Sequence, residues 1–74
     1  MEIKYEAVQA LRYELGRLID TNQGSLTIEH PSSPTMLIFI NRFRKKNPLK
    51  PITIQRLFDF VTYDLESATI TLED

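Results

Sequence analysis

Apolar residues recur along residues 3 to 19 with the spacing of a helix face. At 100° per residue, Ala7, Val8, Leu11, Leu15, Leu18 and Ile19 gather on one stripe. Tyr5, Glu6, Gln9, Arg12, Tyr13 and Arg17 fall outside it. The pattern predicts an amphipathic first helix, with Glu2 and Glu6 where a helix dipole favours acids and Arg17 where it favours bases. Gly16 costs up to about 1 kcal/mol relative to alanine inside a helix, so its presence predicts a point of close packing. The helix is expected to stop near Asp20, because Thr21-Asn22-Gln23-Gly24 is a turn-prone run in which Asn22 and Gly24 both tolerate positive φ.

Ser25-Leu26-Thr27-Ile28-Glu29-His30 alternates apolar and polar residues, the period of a half-buried strand with Leu26 and Ile28 facing the core. Pro31-Ser32-Ser33-Pro34 then breaks the chain, and Thr35 to Asn41 reads TMLIFIN. A helix here would use Ser33 as N-cap and Pro34 as its first residue, with Met36, Phe39, Ile40 and Phe43 on one side. That arrangement would leave Ile38 facing water. The strand reading makes PSSP a hairpin loop and the apolar run a central strand covered on both faces, and the Ile and Phe content favours it. Asn47-Pro48-Leu49-Lys50-Pro51 is a loop, since each proline drives its predecessor out of helical φ/ψ. Thr53 is a candidate N-cap, and Ile54, Leu57, Phe58, Val61 and Leu65 share a 100° stripe, which predicts a helix from Ile54 to about Glu66. Alternation in Ala68-Thr69-Ile70-Thr71-Leu72 predicts a closing strand.

The expected fold is therefore α+β, a single globular domain over residues 1–74 in the order α-β-β-α-β, with two helices packed on one face of a three-stranded sheet. Residues 35–46 carry the helical alternative. Across the start of the second helix, PITIQRLFDFVT, Pro51 to Thr62, resembles a helix-opening stretch of the protein phosphatase 4 regulatory subunit 2 family, which carries a similar P-F-T-I-Q-R-L. The likeness covers those residues only, and no function is transferred from it.

Composition narrows the classes of function. With 74 residues and 8.6 kDa the chain can bury one thin core, which leaves no room for a second domain and little for a deep enzyme cleft. The absence of cysteine excludes disulfides, thiolate zinc sites and thiol catalysis, and a lone histidine, His30, excludes a multi-histidine metal site. The longest strictly apolar run is Met36 to Ile40, far short of the roughly 20 residues that cross a bilayer. The N-terminus lacks a basic region followed by an apolar block, so the expectation is a cytoplasmic protein, or a nuclear one in a eukaryote, with no membrane contact.

Charge is unevenly ordered under a net of −1. Residues 1–29 carry five acids and three bases, residues 30–58 six bases and no acid, and residues 59–74 five acids and no base. The basic middle offers Arg42, Arg44, Lys45, Lys46 and Lys50 to phosphates, with the Phe43 ring for base stacking. The competing reading is a solvated loop with Phe43 in the core, and a pI of 5.7 lies well below that of most dedicated nucleic-acid domains.

Catalytic signals are weak. His30, Ser32 and Ser33 are close in sequence but lack an orienting third residue and an oxyanion site. Asp59, Asp64 and Glu66 lack the loop spacing of a calcium site, and no phosphate-cradling glycine loop is present. Ser33-Pro34 is a candidate phosphorylation site or simply a turn. The expectation is a non-catalytic regulatory or accessory module, without cofactor, metal or small-molecule substrate, that binds another protein or a second copy of itself as a homodimer. Tyr5, Tyr13, Phe60 and Tyr63 lie outside the core stripes and are the candidate interface, and the edges of the expected sheet offer a second route to pairing. Nucleic-acid binding through residues 42–50 is the alternative.

Overall fold

The computed structural model describes residues 4–67, which form four helices joined by short loops, with no strand among the described residues. They are α1 (Tyr5–Thr21), α2 (Gly24–Glu29), α3 (Pro34–Lys46) and α4 (Ile54–Ser67). The first helix follows its periodicity. Val8, Leu11 and Leu15 are buried, and Ala7, Leu18 and Ile19 are partly buried against them. It ends where Asn22 turns into the left-handed region at φ 60° and ψ 39°, letting the Gln23 N–H donate to the Leu18 carbonyl at 3.1 Å. Gly24 has no positive φ; its small size serves the packing of α2 instead.

Two expectations fail, and with them the α+β fold. Residues 25–30, read as a strand, lie almost wholly in the helix α2. Alternation required Leu26 and Ile28 both to face the core, but residues two apart on a helix point about 200° away from each other. Ile28 accordingly packs against the core while Leu26 is 66% exposed. A six-residue helix is not stable on its own. This one is held by contact with both α1 and α4, information that its own residues do not carry.

The second correction is the segment from Thr35 to Asn41, which is helical and belongs to α3. Start signals outweigh the β-propensity of its Ile and Phe residues. Ser33 Oγ accepts the Met36 N–H at 3.1 Å, and Pro34 occupies the first helical position. Met36, Phe39, Ile40 and Phe43 are all buried, and Ile38 is partly buried at the margin of the core, so the helix does not strand it in water. PSSP is thus a helix–helix connection and not a hairpin loop. Removing the cap with Ser33→Ala should cost about 1 kcal/mol, within a range of about 0.5 to 2. Ser32→Ala, which deletes only an exposed hydrogen bond to Glu14, should cost less; urea denaturation of both variants checks the order.

Asn47 caps α3 by donating its N–H to the Phe43 carbonyl at 2.8 Å, and the Pro48-Leu49-Lys50-Pro51 loop that follows is exposed. At the start of α4, Thr53 Oγ1 accepts the Arg56 N–H at 3.1 Å. Ile54, Leu57 and Val61 are buried, and Phe58 and Leu65 are partly buried on the flank. The closing strand expected at residues 68–72 lies outside the described residues.

The core is built from α1, α3 and α4, with the α1–α4 contact the most extensive. These two helices run antiparallel. Tyr5 near the start of α1 and Leu65 near the end of α4 line one hollow, while a Cβ on Gly16 would stand 3.5 Å from Phe58 and one on Gly24 would meet Ile54.

Candidate functional site

The basic segment divides between core and surface. Phe43 is 5% exposed, with its ring edge-on to Phe60 at 5.7 Å, and is not open to a stacking base. Arg42 is 9% exposed and its guanidinium lies 5.4 Å from the Phe39 ring centre. Arg44, Lys45 and Lys46 occupy the last turn of α3, where cations complement the helix dipole, and Lys50 follows in the loop. All four are exposed, although the Lys46 ammonium sits 5.9 Å from the Phe60 ring centre.

The four aromatic candidates separate in the same way. Tyr5, Tyr13 and Tyr63 are 55%, 71% and 65% exposed. Phe60 turns toward α3, partly buried, with edge contacts to Phe39 and Phe43. Tyr5 and Tyr13 stand on α1, while Tyr63 is on α4, so they are not one continuous aromatic patch. No sheet edge exists among the described residues to supply the second pairing route.

The feature not foreseen from sequence is the seam between α1 and α4. Arg12 crosses it, donating from Nε to Thr62 Oγ1 at 2.9 Å and lying 5.3 Å from the Phe58 ring centre. On one side of Arg12 an open groove of about 490 Å³ is lined by Tyr13, Gly16, Arg17 and Asp20 of α1 and by Gln55 and Phe58 of α4. On the other side a smaller hollow of about 280 Å³ lies among Tyr5, Gln9 and Leu65. Gly16 keeps the groove open over Phe58. The patterns put Tyr13 and Arg17 outside the α1 stripe and Phe58 and Leu65 within the α4 stripe, but neither pattern says which helix its face meets.

The remaining polar candidates have structural work or stand exposed. His30 is exposed after α2, Ser32 Oγ donates to Glu14 Oε2 at 2.8 Å, and Ser33 Oγ is the cap of α3. Asp59 Oδ1 accepts from Gln55 at 3.1 Å, whereas Asp64 is buried at 3% exposure. Among the described residues no three His, Cys, Asp or Glu side chains cluster as metal ligands would, and no helix is long and apolar enough to cross a membrane. Neither family models, nor curated proteins, nor solved structures give a match to this chain.

Proposed function

We propose that the chain is a non-catalytic regulatory or accessory module that works by protein contact, through the outer face of α1 and the groove beside it. The observation that carries this reading is Tyr13, 71% exposed at the rim of a groove that also contains Phe58 and two arginine side chains. An exposed tyrosine beside an aromatic concavity supplies contact area at low entropic cost, the usual anchor of an interface. The reading assigns the protein to the cytoplasm, or to the nucleus of a eukaryote. Affinity capture from the native host tests it with the unmodified chain and with the Tyr5→Ser/Tyr13→Ser variant, each shown by circular dichroism to be folded. Proteins held by the first and lost from the second support the reading; equal retention by both overturns it.

Nucleic acid is the second reading, favoured by the exposure of Arg44, Lys45, Lys46 and Lys50 at one end of α3 and in the adjoining loop. If all four meet phosphates, affinity for duplex should fall with salt at a log-log slope of about −3.6, and less steeply on single strands. Replacing Lys45 and Lys46 by glutamine should flatten the slope by about 2 units with the fold intact. Absence of binding to RNA and DNA at low salt removes this reading.

A further inference from the structure

Glu6, Ala10, Tyr13 and Arg17 are all exposed, and they follow one another at intervals of four, three and four residues. At 100° per residue they fall within a stripe about 60° wide, opposite the face that buries Val8, Leu11 and Leu15. The stripe has an acid near one end, a base near the other, and a small and a large side chain between them. We propose that it is the contact surface of an antiparallel homodimer, with a two-fold axis running between the two α1 helices level with the midpoint of Leu11 and Arg12. The proposal rests on the protein-contact reading above and names a second copy of this chain as the partner.

The register follows from charge and size. Reversing one α1 on another about that axis brings Glu6 level with the partner's Arg17 and Ala10 level with the partner's Tyr13, and the two-fold repeats both contacts. The ion pairs then stand about 16 Å apart along the helix at 1.5 Å per residue, with each tyrosine ring covering an alanine between them. On the flanks, Gln9 comes nearest the partner's Gly16 and Glu14 nearest the partner's Ala7, so no like charges stand directly opposite. Other arrangements lack this match. A parallel alignment sets Glu6 against Glu6 and Arg17 against Arg17, and an axis moved to Tyr13 sets Glu6 against Asp20. A single helix stripe is smaller than a standard interface of about 1,200 Å² or more, so the dimer is weak, reversible and sensitive to salt.

Sedimentation equilibrium of the full chain, over roughly 10 to 500 µM at low salt, is the direct test. The expected result is a monomer–dimer equilibrium that weakens as salt is added. Glu6→Arg and Arg17→Glu should each weaken it at least about tenfold, because each sets like charges together at both ends. An equimolar mixture of these two variants should associate again, since both ends then join opposite charges, and E6R/R17E in one chain should do the same. Circular dichroism monitors folding, and Tyr13→Ser, which leaves every charge in place, should also weaken the dimer. A chain that stays monomeric throughout the range overturns the proposal. So do single reversals that dimerise as well as the unmodified chain, or a mixture no stronger than its components. If the chain is monomeric while capture of a different protein still depends on Tyr5 and Tyr13, the two-fold pairing falls and the protein-contact reading stands.

Discussion

Truncating Leu57 to alanine should cost the domain about 2 to 5 kcal/mol. Leu57 is fully buried in the core at the centre of the α4 stripe, so its removal leaves a cavity as well as losing apolar contact. A fold of 74 residues has about 4 to 11 kcal/mol in all, so this one change should leave it marginal. Gln55, two positions earlier, is exposed and donates to Asp59, and Gln55→Ala should cost less than about 0.5 kcal/mol. Urea titration of both variants gives the comparison, and equal losses would mean that α4 does not bury this stripe.

The second large effect concerns Gly24. A Cβ there would come 2.5 Å from Ile54 Cγ1 and 3.0 Å from Ile54 Cβ, closer than side chains pack, and Ile54 is itself buried. Gly24→Ala should therefore cost about 1 to 3 kcal/mol as overpacking, although its backbone conformation would suit alanine. The opposite sign is expected at Gly16, where a Cβ would make ordinary contact with Phe58 at 3.5 Å and the helix gains up to about 1 kcal/mol from alanine. Thermal or urea denaturation of the pair checks both signs. A double-mutant cycle with Ile54→Ala locates the cause: the cost of Gly24→Ala should shrink by at least about 0.5 kcal/mol in that background.

The two long helices with strong periodicity, α1 and α4, were legible from apolar spacing, with Asn22 as the left-handed stop and Thr53 as the cap confirming their ends. Over Thr35 to Asn41 the decisive signals are also present, in Ser33 and Pro34, while the β-branched and aromatic content of TMLIFIN points to a strand. Propensity is worth tenths of a kcal/mol per residue, whereas a satisfied cap and four buried side chains on one face decide the conformation together. Gly24 to Glu29 is not legible, since its two apolar residues alternate as in a strand and contact with α1 and α4 selects the helix. The exposure of Tyr5, Tyr13 and Tyr63 could be read from the helical wheel, but the groove could not, because it needs Gly16 of one helix above Phe58 of another.

The pairing of α1 with α4 also bears on how the chain is made. Since α1 finds its main partner in the last described helix, its apolar face has little to pack against until the thirty or so residues between Thr21 and Ile54, and then α4 itself, have been synthesised. At about 5 to 20 residues per second that interval lasts seconds, a long exposure compared with the microseconds in which a helix forms. During it, Val8, Leu11 and Leu15 lack the α4 side of their packing and are the more open to chaperones or to other nascent chains.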